Sequence, residues 1–174
     1  MRGLTGYCIS PFSILQHTHA LGNGQAASAA WPLADVALFV PFFLPQRVVI
    51  YEVATGTGAT AGGNFAIGVY TMSGTLIQDT DEQARTASAW NRVDWTDLTL
   101  DPGWYYMAMS ADSTNNYSGT VPVAGICEAF GICEMTSAHN ADGAGTGLPA
   151  TATLSRTTRA FVPAIGLFAY SVAS

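Results

Sequence analysis

Apolar and polar positions alternate along this chain in short runs broken by glycine, proline and asparagine, and no segment keeps a helical stripe for more than about two turns. That pattern predicts strands and turns rather than long helices. Val36 to Phe43 is the first expected strand, with Pro41 marking an edge position or a bulge because proline cannot donate to a ladder. Arg47 to Ala54 follows, rich in β-branched residues, and Thr55 to Asn64 reads as a loop outside the core. Phe65 to Tyr70 sets Phe65, Ile67 and Val69 on one face and Ala66, Gly68 and Tyr70 on the other, and Ser73-Gly74 turns the chain into Leu76 to Asp79.

Asn91 to Leu100 contains a phase slip, since Val93 and Trp95 differ in parity from Leu98 and Leu100. A β-bulge near Thr96 and Asp97 brings all four to the core. Asp101-Pro102-Gly103 is a strong turn signal and predicts a hairpin into Trp104 to Met109, a strand apolar on both faces. Such a strand is covered on both sides, by the opposite sheet and a loop or by a neighbouring subunit. Asp112 to Tyr117 reads as a polar loop, Val121 to Ile126 as a short strand and Ala138 to Gly147 as another loop. Thr151 to Leu154 and Ile165 to Tyr170 are the closing strands, with a bend at Pro163. The sum is an all-β, two-sheet antiparallel β-sandwich of about eight strands, jelly-roll-like in class.

Before Asp35 the pattern is different. Residues 1–34 show neither sustained alternation nor a helical stripe and read as an extended N-terminal arm on a sandwich domain of residues 35–174. Tyr7, Phe12, Ile14, Leu15 and Trp31 make the arm too apolar for a solvated tail, so it is expected to lie on another surface or as a strand on its own sheet.

Composition sharpens this picture. Of 174 residues, 49% are hydrophobic and 10% charged, which leaves little polar surface to cover a solitary globule. Part of the apolar excess is expected to meet other subunits. The net charge is -6, and the six basic residues, Arg2, Arg47, Arg85, Arg92, Arg156 and Arg159, are scattered, so nucleic acid is not expected as a partner. Lysine is absent, which excludes a Walker-type phosphate loop, a Schiff-base lysine and serine–lysine nucleophile pairs. The N-terminus lacks the features of a secretory signal, so a chain made in the cytoplasm is expected. Val36 to Leu44 is too short to span a bilayer, and no membrane association is expected. That compartment favours free thiols at Cys8, Cys127 and Cys133, with a Cys127–Cys133 disulfide as the alternative.

Candidate chemistry is sparse. His17 and His19 form an HxH pair that needs a third metal ligand, and His139 lies far away. Asp79, Asp81 and Glu82 form an acidic cluster without the spacing of a calcium loop, and a solvated turn is the plainer reading. Asp94, Asp97 and Asp101 around Trp95 suggest a glycosidase only superficially, because alternation points Asp94 outward and Asp101 sits in a turn. GTGATAGG (Gly56 to Gly63) resembles a phosphate loop in composition but lacks the lysine and the helix. No serine lies in a G-x-S-x-G elbow, and the Asn116-Tyr117-Ser118 sequon carries no weight without secretion. No catalytic residue, metal site or cofactor is expected, and the chain is read as non-enzymatic.

Four segments in order carry a resemblance: Ala37-Leu38-Phe39-Val40-Pro41-Phe42, FAIGVYTMSGTLI (Phe65 to Ile77), LDPGWYYMAMS (Leu100 to Ser110), and Leu148-Pro149-Ala150-Thr151-Ala152 before an aliphatic closing strand. From about Pro32 onward the chain resembles small β-sandwich proteins encoded among the virion genes of tailed bacteriophages. The resemblance implies a structural virion component, a capsid decoration or fibre protein or a tail or neck appendage, and no catalytic motif. Its expected partners are copies of itself, as a trimer, and other virion proteins. The expected contacts are Tyr7, Phe12, Ile14, Leu15, Trp31, Phe39, Tyr105 and Met107. The competing reading is a carbohydrate-binding module at a fibre tip, with Trp90, Trp95, Trp104 or Tyr105 as the sugar platform.

Overall fold

The computed structural model of the chain describes residues 7–9, 27–60, 62–122, 125–136, 138 and 147–171. Within them the strands are β1 (Tyr7–Ile9), β2 (Ala27–Ala30), β3 (Ala37–Leu44), β4 (Val48–Gly56), β5 (Asn64–Thr71), β6 (Leu76–Asp79) and β7 (Gln83–Ala84). They continue as β8 (Trp90–Leu100), β9 (Gly103–Ala111), β10 (Asn116–Thr120), the single-turn helix α1 (Ile126–Ala129), β11 (Cys133–Met135), β12 (Ser155–Arg156), β13 (Val162–Pro163) and β14 (Ile165–Ser171). The strand orders are β1-β14-β4-β8, β12-β11-β3-β9-β5-β6 with β7 also on β5, and a small third sheet β13-β10-β2. All these pairings are antiparallel. The fold is an all-β sandwich, with more and shorter strands than the alternation alone predicts and a third sheet beside the expected two.

The main core lies between the two larger sheets. Val48, Ile50, Val53, Trp95, Leu98, Leu100, Ile165 and Leu167 come from one side, and Leu38, Val40, Phe42, Ile67, Val69, Met107 and Met109 from the other. The phase slip in β8 is resolved as expected. Ile50 faces Leu98 while Glu52 faces Asp94, so Trp95–Asp97 are surplus residues opposite Tyr51, and Trp95, Leu98 and Leu100 are all buried.

Several expectations are corrected. Asp101-Pro102-Gly103 does not close a hairpin: β8 pairs with β4, and β9 pairs with β3 and β5, so this turn carries the chain from one sheet to the other. A sharp turn between two core strands has the same local chemistry in both cases. Here the corner is tied by Arg47 Nη2 to Asp101 Oδ1 at 2.6 Å and by the Tyr105 hydroxyl donating to the Asp101 carbonyl. β3 is an interior strand despite Pro41, because β11 runs only beside Ala37–Phe39 and leaves that side of Pro41 without a ladder to break.

The segment expected as a polar loop, Asp112 to Tyr117, runs into β10 at Asn116, and the described residues of the strand expected at Val121 to Ile126 form no strand; Val121 is exposed and α1 begins at Ile126. Asn116 to Thr120 is a strand because β2 and β13 flank it and Tyr117 is fully buried against Trp31. Thr151 to Leu154 makes only an isolated bridge, at Thr151 to Thr75. The described parts of the arm lie on this chain's own sheets, β1 along β14 and β2 along β10, and Trp31 is in the core. Residues 55–58, expected outside the core, are buried, because the loop closes around Arg85.

Candidate functional site

The sheet β3-β9-β5 is apolar on both faces. Its inner face joins the main core, while Ala37, Phe39, Ala66, Tyr70, Tyr106 and Ala108 form a second cluster on the outer face. That outer cluster is roofed by the chain itself, through Ala138, Leu148 and Ala152. The roof is pinned by hydrogen bonds: Leu148 N–H donates to Asp79 Oδ2 at 3.0 Å, the Tyr70 hydroxyl to the Pro149 carbonyl at 2.7 Å, and Ala152 N–H to the Gly74 carbonyl at 2.7 Å. Gly68 permits the approach, since a Cβ there would lie 2.8 Å from Leu148 Cδ1. Of the two covers open to the WYYMAM strand, its own loop is the one seen.

Burial under this roof raises the phenols. Tyr70 is pushed well above the ordinary tyrosine range, chiefly by desolvation and further by the Asp79 carboxylate. Tyr106 is pushed up to about 12 by desolvation and by its contact with the Cys133 thiol at 3.7 Å, against a smaller opposing effect of Arg156.

The roof stops short of one end of the sheet. Phe43 and Trp104 face each other across β3 and β9, on the same face as Phe39 and Tyr106 by alternation, with ring centroids 5.3 Å apart. They are 51% and 57% exposed, and Met72, which follows the last residue of β5, is 45% exposed. Exposed aromatics packed on each other at the end of an apolar sheet face form the clearest candidate contact surface of the described residues.

The expected contact residues are redistributed. Trp31, Phe39 and Met107 are buried inside the chain's own clusters and offer no surface to a partner. Tyr105 is half-buried, its ring 5.9 Å from Phe42. Tyr7 lies in β1, and Phe12, Ile14 and Leu15 fall outside the described residues. Of the exposed members of the same strands, Trp104 is expected from the sequence only as a sugar platform and Phe43 not at all, because alternation gives parity but not where a covering loop ends.

The other candidate clusters are built into the fold. Asp79 holds the roof, Glu82 accepts from Asn64 Nδ2 at 2.7 Å, and Asp81 sits in a turn at φ 53°. Asp101 pairs with Arg47, Asp97 accepts from the Tyr170 hydroxyl, and Asp94 is exposed on β8. Gly58, Thr60 and Gly62 of the glycine-rich loop present carbonyls to a charge: the Arg85 guanidinium donates to them and to the Asn116 carbonyl, and lies 4.9 Å from the Tyr117 ring centroid. Burial pushes the Tyr117 phenol up to about 12, with Arg85 opposing.

Cys127 and Cys133 are free and buried, and burial raises the Cys127 thiol. His17, His19 and His139 lie outside the described residues. Among the described residues no group of three His, Cys, Asp or Glu is placed to hold a metal, and no helix is long and apolar enough to cross a membrane.

No family model matches the chain, and no curated protein matches it. Among solved structures, a chain of the infectious bursal disease virus Gx strain is 10% identical with a TM-score of 0.36, covering 97% of this chain and 37% of its own. A chain of the Gt strain is 12% identical with a TM-score of 0.34, covering 97% and 41%. The VP2 subviral particle of that virus gives 10% identity and a TM-score of 0.36, with 97% and 42% covered. This chain thus spans about two fifths of the length of those chains, and at such scores the likeness carries no weight for fold or function.

Proposed function

We propose that this protein is a structural component of a bacteriophage virion, a non-enzymatic sandwich that assembles as a symmetric homo-oligomer of three copies on the capsid or tail. The phage assignment rests on the four-segment sequence resemblance. The observation that carries self-assembly is the uncovered strip Phe43, Trp104 and Met72 beside a sheet face that is otherwise roofed. In a chain with only 10% charged residues, that strip has few charges to keep copies apart. A stable interface removes on the order of 1,600 Å² from water, so the strip serves as its aromatic centre with surrounding surface as rim.

The test is sedimentation equilibrium of the purified protein and of a Phe43→Ser/Trp104→Ser double variant. The parent is expected as a trimer and the variant as a folded monomer that no longer binds phage particles. A monomeric parent, or a variant that still assembles, overturns the reading.

A further inference from the structure

A second exposed tryptophan lies away from the assembly strip. Trp90 opens β8 and is 61% exposed, whereas Trp31 and Trp95 are buried. It stands at an open cleft of about 360 Å³ whose walls include Gln83, Thr86, Arg92 and Val93, with Phe65 behind them. That volume falls within the ordinary range of small-molecule sites.

The cleft is held in shape by a hydrogen-bonded turn. Asn91 is buried and accepts from Thr86 N–H at 2.7 Å, while its Nδ2 donates to Thr57 Oγ1 at 3.1 Å and to the Thr86 and Ala89 carbonyls at 3.1 and 3.3 Å. Thr57 N–H donates to Ala89 and Ser88 N–H to Gly58, which ties the turn of residues 86–89 to the glycine-rich loop. Ser88 is held at φ 51°, a left-handed conformation uncommon for serine, so the wall beside Trp90 is a fixed and locally strained turn.

Charge narrows the ligand. The one cation of the cleft, Arg92, is neutralised by Glu52, with Nε 2.6 Å from Oε1, and lies 5.2 Å from the Phe168 ring centroid. The chain as a whole is acidic, at -6, which disfavours polyanions. An exposed indole flanked by amide, hydroxyl and guanidinium groups matches a molecule with an apolar C–H face and hydroxyl edges.

We propose that the Trp90 cleft binds a neutral saccharide, one pyranose ring lying on the indole and its hydroxyls reaching Gln83, Thr86 and Arg92. This goes beyond the assembly role and does not depend on it, since Trp104 and Trp90 belong to different sheets.

The experiment titrates the Trp104→Ala protein, in which Trp90 is the only exposed indole among the described residues, with soluble oligomers of glucose, mannose, galactose and N-acetylglucosamine. Tryptophan fluorescence is followed. At least one series is expected to give a saturable change, and calorimetric titration with the same sugar, which needs no indole reporter, should find binding weakened about tenfold when Trp90→Ala is added, as loss of a stacking contact predicts. In the unsubstituted protein the Trp90 indole N–H resonance should shift with the same sugar while that of Trp104 stays, a readout that needs no variant to fold. Absence of a saturable change with all four series, or equal binding without Trp90, or a shift confined to other indoles, overturns the proposal.

Discussion

Arg85 takes a cation into the interior with backbone carbonyls as its hydrogen-bond partners, from Gly58, Thr60, Gly62 and Asn116. Those carbonyls belong to two segments far apart in sequence, so one guanidinium fork fixes the glycine-rich loop against β10. Replacing it with methionine keeps much of the volume but strips the donors. Hydrogen bonds to a charged group are worth about 1.5–3 kcal/mol each and are not additive, so Arg85→Met is expected to lower stability by on the order of 3 kcal/mol or more. Arg85→Lys should recover only part, because an ammonium cannot reproduce the planar fork. Urea denaturation midpoints measure both, and a loss below about 1 kcal/mol for the methionine variant would contradict the assigned role. Nothing in GTGATAGG announces this. The loop could be recognised as lacking a lysine, but its carbonyls turn inward only because Arg85 arrives from a later strand end.

At the scale of elements, strands with strong alternation were legible, and those defined by their partners were not. β5 and β8 follow from residue parity, down to the bulge at Trp95–Asp97. β10 offers one buried aromatic in NYSGT and exists because β2 and β13 lie beside it. Its centre is tight: a Cβ on Gly119 would sit 2.6 Å from Phe161 Cζ and 2.7 Å from the Val162 carbonyl oxygen. The backbone oxygen cannot swing aside as a side chain can, so Gly119→Ala is expected to force β13 away from β10 and destabilise the protein by roughly 1–3 kcal/mol. Thermal unfolding, with amide exchange at Val162 and Ala164 as a local probe, tests this; a neutral substitution would mean that the small sheet relaxes without cost. The corner at Asp101-Pro102-Gly103 teaches the same lesson, since a turn signal says that the chain reverses and not which strand it meets next.

For the whole molecule, three raised tyrosines link stability to alkaline pH. Tyr106 and Tyr117 ionise near 12 in the folded state, and Tyr70 is raised as well, against about 10 for an unperturbed phenol. Between those values the unfolded chain binds fewer protons than the native one, so stability falls as pH rises. The contribution of Tyr106 and Tyr117 is complete below about pH 10 and is lost as pH climbs through about 12, and that of Tyr70 is lost at higher pH still. Phenolate absorbance and circular dichroism followed together should show these tyrosines ionising with unfolding; free titration near pH 10 without structural change would refute their burial. The assembly strip also belongs to this scale. Its residues were visible in the sequence, but its location depends on where the self-made roof ends.

That roof has a consequence for the chain's freedom to vary. In a two-layer sandwich each strand keeps one row of positions wet, where substitutions drift with little penalty. With both sides of β5 enclosed, Phe65 through Tyr70 have no wet row, and a single charge anywhere in that run meets an apolar enclosure. β8, at the border of its sheet, absorbs polar replacements at every other position, so sequence change should gather there while the middle of the larger sheet stands nearly still.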